Sequence, residues 1–175
     1  KEKNIMEDIM KKTFLLFILA LCSIALFAQN EDWHWAKKAG GTGGDYCRSI
    51  AVDDNGNSYV TGYFLESATF GATTLTSSGN EDIFVAKLDI NGNWLWAKQA
   101  GGTDDDYGKG IAVDANGNSY IIGYFYSSNC TFGATTLTSS GSYDIFIAKL
   151  DINGNWLWAK QAGGTSYDIG YGIAV

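Results

Sequence analysis

Carboxylates recur in this chain at spacings that could serve a cation. Four stretches of the form Asp-x-Asn-Gly-Asn begin at Asp53, Asp89, Asp114 and Asp151. Calcium prefers oxygen ligands of this kind, but an EF-hand loop needs glycine at position 6 and a bidentate acid at position 12. Here glycine falls at position 4, and position 12 counted from Asp53 is Phe64. We therefore predict that each carboxylate caps its own turn, with a calcium ion at Asp53 and Asp114 as the alternative.

A second acidic row consists of Asp45, Asp106 and Asp168, each just before a strand-like run. If neighbouring copies of a repeat bring this row to one rim, a calcium ion or a sugar could bind there. A solvated loop is the interpretation that we favour for all three.

Tyrosines offer a different kind of binding chemistry, because their rings can stack on sugars. The candidates are Tyr63, Tyr124 and Tyr126. Core packing is the default role for a tyrosine in a strand, and sugar stacking is the alternative.

Groups for catalysis are sparse. His34 is the single histidine, and the other copies carry Leu95 and Leu157 at the same place. The stretch from Gly102 to Lys109 fails as a phosphate loop, since no Ser or Thr follows the lysine. No G-x-S-x-G nucleophile elbow occurs in the sequence. We predict no catalytic residue, no cofactor and no enzymatic activity.

Every tryptophan belongs to a Trp-x-Trp pair, and the pairs recur at intervals of 61 and 62 residues. Such an interval indicates one structural unit copied in tandem. Residues 82–103 and 144–165 differ only at Val85 and Ile147. The tryptophan pairs place repeat boundaries at residues 94 and 156. We predict two complete repeats, 29–93 and 94–155, and a partial third repeat, 156–175. They are preceded by an upstream segment 1–9 and a signal peptide 10–28.

Asn-Gly dipeptides between apolar runs predict two hairpins in each copy. Their type I′ turns would place both central residues at positive φ. In the first copy the hairpins join 50–53 to 58–64 and 83–89 to 94–98, which makes a four-stranded antiparallel sheet. Residues 69–79 predict a further short hairpin or a long loop. The four sites are Asn55-Gly56, Asn91-Gly92, Asn116-Gly117 and Asn153-Gly154.

Both faces of these predicted sheets are apolar. Because successive side chains of a strand alternate, Trp94 and Trp96 are expected on one face, with Leu95 and Ala97 on the other. No helical segment after the signal peptide could cover the sheets, so neighbouring copies must cover one another. Four-stranded sheets stacked around an axis form a β-propeller, here an incomplete one of about 2.3 repeats. A parallel β-helix, another stacked β array and a β-sandwich are the alternatives.

The segment 10–28 has the three parts of a secretory signal peptide: two lysines, an apolar run over 14–27, and a small residue, Ala28, before a polar one. The run is shorter than the roughly twenty residues of a membrane-spanning helix. We predict a signal-peptide helix that is cleaved after Ala28, with Ala25 as the alternative site. A membrane anchor is the alternative to cleavage; after cleavage no membrane span remains.

The charge of the chain argues against nucleic acid as a binding partner. The chain has a net charge of −7, and the part after residue 28 carries eight Lys or Arg against sixteen Asp or Glu. An acidic chain is poorly suited to nucleic acid, whose phosphates need a cationic surface.

Cys47 and Cys130 fall at different places in the repeat, so we interpret them as incidental and not as a disulfide framework.

The repeat resembles a known family. The pattern G-x-x-D-I-F-(V/I)-A-K-L-D-x-N-G-N-W-x-W-A-K-x-A-G-G-T-x-x-D, followed by G-I-A-V-D-x-N-G-N-S-Y-(V/I)-x-G, is similar to the SBBP-type β-propeller repeat over residues 33–175. That repeat occurs in secreted and surface proteins of bacteria, commonly of the Bacteroidetes. The resemblance implies an extracellular propeller scaffold and brings no catalytic residues with it.

Three functions fit these observations. The first is a secreted or cell-surface propeller that binds an extracellular protein or glycan without catalysing a reaction. The second is the accessory propeller of a larger extracellular enzyme, for example a glycan-active one. The third is a structural surface spacer. Because the apolar sheet faces need neighbours, we also expect residues 29–175 to self-associate.

Overall fold

The computed structural model describes residues 33–175, which form strands, turns and loops and contain no helix. The signal-peptide helix predicted for 10–28, and the upstream segment 1–9, lie outside the described residues. The strands are β1 (Gly40–Gly41), β2 (Asp45–Val52), β3 (Ser58–Phe64), β4 (Ser67–Phe70), β5 (Thr73–Thr76), β6 (Asp82–Leu88), β7 (Trp94–Ala100), β8 (Asp106–Val113), β9 (Ser119–Phe125), β10 (Cys130–Phe132), β11 (Thr135–Leu137), β12 (Asp144–Leu150) and β13 (Trp156–Ala162).

Two antiparallel sheets of four strands organise the chain. The first has the order β2-β3-β6-β7, and the second has the equivalent order β8-β9-β12-β13. The predicted all-β fold of four-stranded propeller blades is therefore confirmed. The segment between the two hairpins of each copy is itself a short hairpin, β4–β5 in the first copy and β10–β11 in the second.

The sheets are offset from the divisions that the tryptophan pairs suggest. The first sheet runs from Asp45 to Ala100 and the second from Asp106 to Ala162. The strand that begins at Trp94, which the sequence period assigns to the second repeat, is the fourth strand of the first sheet. The reason is local, since β7 pairs with the strand that directly precedes it, β6.

The Asn-Gly loops form hairpins as predicted, but with a different turn. Only the glycine takes positive φ, for example Gly56 at 78°, and the asparagine does not, so the type I′ expectation was wrong. The amide of Gly56 donates to the carbonyl of Asp53 at 2.9 Å, and the amide of Asp53 donates to the carbonyl of Asn57 at 3.0 Å. The loop is thus a turn with aspartate first and glycine last, which closes a longer hairpin.

The prediction that both tryptophans of a pair share one face was also wrong. Leu88 pairs with Trp94 and Lys87 with Trp96, so Leu95 is the extra residue of a β-bulge. The bulge turns the two rings to opposite faces. Trp94 packs against Phe70 on one face, and Trp96 packs against the cluster on the other.

The two sheets pack face to face, as the apolar character of both faces predicts. Tyr59, Ile83 and Val85 of the first sheet are fully buried against Ile111 and Ile121 of the second. An edge strand of the second sheet, β8, contacts β2, β3 and β6 of the first. On its other face the first sheet packs against the β4–β5 hairpin.

Candidate ligand-binding surface

The aspartates of the Asn-Gly loops hold their own turns. Oδ1 of Asp53 accepts hydrogen bonds from the backbone amides of Asn55 at 3.0 Å and Asn57 at 2.9 Å. Asp114 does the same in the second copy and lies 3.6 Å from the amine of Lys149. The hydrogen bond from the Asn118 side chain is the main reason why the pKa of Asp114 is lowered. The predicted capping role is confirmed.

The second acidic row has an equally local role, and the solvated-loop interpretation was wrong for Asp106, which is fully buried where the two sheets pack together. In each copy, Oδ2 of the aspartate accepts a hydrogen bond from the glycine amide four residues earlier. Within residues 33–175, no three His, Cys, Asp or Glu side chains converge around a point that could hold a metal ion. Calcium at Asp45, Asp106, Asp168, Asp53 and Asp114 therefore stays a prediction without a convergent site to support it. The pairs are Asp45 with Gly41 at 2.7 Å, Asp106 with Gly102 at 2.8 Å, and Asp168 with Gly164 at 2.8 Å.

Two carboxylates are fully buried where the two sheets meet. Asp82 is the first residue of β6 in the first sheet, and Asp106 is the first residue of β8 in the second. Burial raises the pKa of Asp82 to about 7 and that of Asp106 to about 6. Oδ1 of Asp82 has no hydrogen-bond partner among the described residues. The sequence could not single out Asp82, because nothing in the run DIFVAKL shows that its first residue is enclosed.

Histidine and cysteine do not add to these groups. His34 is exposed. Cys47 is exposed and Cys130 is buried, and neither forms a disulfide. Burial raises the pKa of the Cys130 thiol, which disfavours the reactive thiolate.

Tyrosines form a continuous network at the end of the sheets opposite the Asn-Gly loops. Tyr46 lies across from Tyr63 on β2 and β3, and Tyr107 lies across from Tyr124 on β8 and β9. The ring centroids of Tyr63 and Tyr107 are 4.6 Å apart, so the network crosses from the first sheet to the second. It continues through Tyr143 at the start of the next hairpin.

The three tyrosines predicted from the sequence all belong to this end of the molecule, but they differ in exposure. Tyr63 is buried, so the default role of core packing holds for it. Tyr124 is partly buried. Tyr126 is 44% exposed, and its ring packs 5.4 Å from that of Tyr143. Tyr46 and Tyr167 are exposed as well and widen the aromatic surface.

Two cations lie in this network. The amine of Lys109 is 4.9, 4.8 and 4.9 Å from the ring centroids of Tyr63, Tyr107 and Tyr124. The guanidinium of Arg48 lies 4.9 Å from the ring of Tyr63 and donates a hydrogen bond to its hydroxyl. Cations at this range from an aromatic face are attracted by its quadrupole. We call this set of groups the tyrosine surface. It consists of the two cations, Arg48 and Lys109, and the rings of Tyr46, Tyr63, Tyr107, Tyr124, Tyr126, Tyr143 and Tyr167.

Both cations are the extra residues of β-bulges, which explains why sequence reasoning missed them. The pairing of β2 with β3 skips Arg48, and the pairing of β8 with β9 skips Lys109. Strict alternation gives no indication of where such a side chain points. One signal was available in the sequence: this position carries a different residue in each copy, whereas most of the repeat is nearly invariant.

The electrostatics of the tyrosine surface are mixed. Burial and the nearby Arg48 lower the pKa of Lys109, and Glu81 opposes them. Among residues 33–175 no carboxylate oxygen lies within 4.0 Å of either cation. Burial, together with the neighbouring Glu81, raises the pKa of Tyr107, so its hydroxyl stays protonated. The surface therefore offers aromatic faces, hydroxyl groups and two positive charges.

No helix in the part of the chain that the structure describes is long and apolar enough to cross a membrane.

Similar sequences occur within two much longer proteins. The chain is 30% identical over 112 residues to an uncharacterized WD repeat-containing protein of Acanthamoeba polyphaga mimivirus, an alignment that covers 54% of this chain and 8% of that protein. It is 29% identical over 116 residues to the regulatory protein FlaEY of Caulobacter vibrioides, covering 63% of this chain and 12% of that protein. The chain thus spans only a small part of the length of these curated relatives.

A family model described as the SBBP β-propeller repeat matches residues 34–63 and 95–124. Each match ends within a Tyr-bearing strand, β3 or β9, and each begins in a Trp-x-Trp pair. The two matches start one repeat period apart and fall on equivalent strands of two equivalent sheets. Sequence and fold agree, and this chain carries two copies of the SBBP β-propeller repeat.

Proposed function

We propose that this chain is part of a secreted or cell-surface bacterial protein whose propeller blades bind an extracellular ligand without chemical turnover. The observation that carries the proposal is the tyrosine surface, a connected set of rings that spans two repeats and is open to solvent at Tyr46, Tyr126 and Tyr167. Core packing alone does not require exposed rings, whereas aromatic faces with hydroxyl groups suit contacts to sugars and to proteins.

The repetition favours binding over catalysis. An active site needs a convergent set of groups with different roles. Here equivalent positions supply equivalent groups in each copy, such as the pairs Tyr46–Tyr63 and Tyr107–Tyr124. Repeated contacts that are each weak can add up to firm attachment when the ligand is itself repetitive.

Binding is tested with the purified protein on an array of glycans and extracellular matrix proteins. We expect retention on part of the array and at least a roughly tenfold loss of affinity for Tyr126→Ala. Leu95→Ala is the matched control, since Leu95 is also exposed but lies at the opposite end of its sheet. Absence of binding across the array, or equal losses for the two variants, would count against the proposal.

Export is tested separately. If residues 10–28 act as a signal peptide that is cut after Ala28, the protein recovered outside the cell begins at Gln29. Amino-terminal sequencing of the exported protein measures this directly. Recovery of the uncut chain in the membrane fraction would support the anchor alternative instead.

A further inference from the structure

We infer that the tyrosine surface binds sugars that carry a carboxylate, and that Arg48 and Lys109 hold that carboxylate. The inference rests on the proposed binding function and names its ligand class. Binding of a neutral sugar would give no reason for two cations at this place, or for their lack of carboxylate partners.

The first observation is that neither cation has a charge partner that folding alone would explain. No carboxylate of residues 33–175 lies within 4.0 Å of Arg48 or Lys109, whereas Lys149 has Asp114 at 3.6 Å. Instead the two cations lie close enough that Arg48 disfavours the charge on Lys109. Two like charges this close repel each other; Glu81 offsets part of that repulsion, and an anion bound between the cations would lower it further.

The second observation is geometric. Both cationic groups lie 4.9 Å from the ring centroid of Tyr63, so they are separated by less than twice that distance. The same kind of β-bulge produces both, one on β2 and one on β8, and bulges are a recurrent means of re-aiming a side chain next to a functional site. A carboxylated oligosaccharide of two or more units spans that range and can therefore meet both cations.

The third observation is what surrounds the cations. Tyr46 stacks on Tyr63 with centroids 5.0 Å apart, and it is exposed beside Arg48. A sugar ring can lie on such a face through its C–H groups while its carboxylate accepts hydrogen bonds from the guanidinium. One N–H group of Arg48 donates to the Tyr63 hydroxyl, and the other N–H groups of the guanidinium are available to a carboxylate. An acidic sugar uses the rings and the cations together, whereas a small inorganic anion would leave the rings unused.

The experiment is calorimetric titration of the purified protein with tetragalacturonic acid and with its methyl ester, which has the same rings without the charges. We expect the acid to bind at least about tenfold more tightly than the ester at low salt. Because the distinguishing interaction is between charges, this preference should shrink as the salt concentration rises.

Variants locate the effect. Arg48→Gln and Lys109→Gln should each weaken binding of the acid by about tenfold more than they weaken binding of the ester. Arg48→Lys keeps the charge and should retain most of the preference. Lys160→Gln removes an exposed lysine elsewhere and serves as the control. Circular dichroism of each variant establishes that a loss of binding is not a loss of folding.

Two results would overturn the inference and leave the proposed function standing: equal affinities for the acid and the ester, or equal effects of Arg48→Gln and Lys160→Gln. An acidic peptide, hexaglutamate, that binds as tightly as the acidic sugar would overturn the sugar assignment. If neither oligosaccharide binds and the array is also blank, the inference and the proposed function fail together.

Discussion

The indole N–H of Trp96 donates a hydrogen bond to the backbone carbonyl oxygen of Ile152, 3.2 Å away in the Asn-Gly loop of the following repeat. Trp35 makes the same bond to Ile90 at 3.0 Å, one repeat earlier. The Trp96 ring also covers Gly154, where an added Cβ would lie 2.8 Å from the indole. The second tryptophan of each of the first two pairs, Trp35 and Trp96, therefore joins successive repeats as a clamp, which gives a physical reason for the fixed interval.

This clamp predicts that equivalent tryptophans differ in their contribution to stability. Trp96→Ala removes both the ring and its hydrogen bond, so we expect the free energy of unfolding to fall by roughly 2–4 kcal/mol. Trp158 occupies the same place in the next copy but is 36% exposed, and Trp158→Ala should cost less than about 1 kcal/mol. Urea denaturation of the two variants measures the difference.

Trp96→Phe separates the two parts of the clamp, since it keeps an aromatic ring and removes the N–H donor. We expect it to cost roughly 1 kcal/mol through the unpaired carbonyl and the smaller ring. Equal losses for Trp96→Ala and Trp158→Ala would show that the bond to Ile152 does not stabilise the contact between repeats.

The fold could be predicted from the sequence because its signals are periodic. The recurrence of tryptophan pairs, the Asn-Gly loops and the two apolar faces each indicate stacked four-stranded sheets, and all three are features that many residues share. The directions of single side chains were not predictable in this way. One inserted residue, Leu95, reverses the face of the tryptophan before it, and no pattern in WLWAK distinguishes that insertion from regular alternation.

The bulge at Leu95 makes a prediction that alternation would not. Leu95 is 53% exposed, whereas Leu88, its near neighbour across β6 and β7, is buried. Leu95→Glu should therefore change the free energy of unfolding by less than about 0.5 kcal/mol. Leu88→Glu places a charge in the core and should unfold the protein or cost more than about 3 kcal/mol. Thermal unfolding followed by circular dichroism provides the comparison, and a large loss for Leu95→Glu would be inconsistent with the bulge.

The candidate site was predictable only in part, for a related reason. Tyr124 and Tyr126 were recognisable as aromatic residues near strand ends, and the structure brings them into one network. Arg48 and Lys109 were not recognisable, because their direction depends on bulges and their proximity depends on the packing of one repeat on the next. Contacts between distant segments of this kind leave no trace in local spacing.

The buried carboxylate Asp82 predicts that the protein loses stability as the pH rises from about 4 to about 8. Its pKa is about 7 in the folded protein against an ordinary 3.8, because burial disfavours its charged form. A pKa that folding raises contributes stability that is fully present below the ordinary value and is lost as the pH passes the folded one. Asp82→Asn should thus match the unmodified protein only below about pH 4, and its advantage in the free energy of unfolding should grow by roughly 1–3 kcal/mol between pH 5 and pH 8.

Asp89 is the matched control for that experiment. The hydrogen bonds from Asn93 lower its pKa, so it stabilises the fold in its charged form. Asp89→Asn should therefore lower the urea midpoint by the same amount near pH 5 and near pH 8, since Asp89 is charged at both. If the urea midpoint of Asp82→Asn changes with pH as steeply as that of the unmodified protein, Asp82 is not the group responsible for the pH dependence of stability.

The last prediction concerns the outer face of the first sheet, where position in the repeat array, and not residue type, determines exposure. Ile50 and Ile111 occupy the same place in the two copies, yet Ile50 is 62% exposed and Ile111 is 5% exposed. The sheet that covers Ile111 is the first sheet itself, and the described residues provide no equivalent cover for Ile50. Such an apolar face favours association with another chain. Ile50→Asp should weaken self-association by at least about tenfold without loss of folding, whereas Ile111→Asp should unfold the protein. Sedimentation velocity over a range of protein concentrations measures the association, and an unmodified protein that stays monomeric throughout would refute the expectation that this face needs a neighbour.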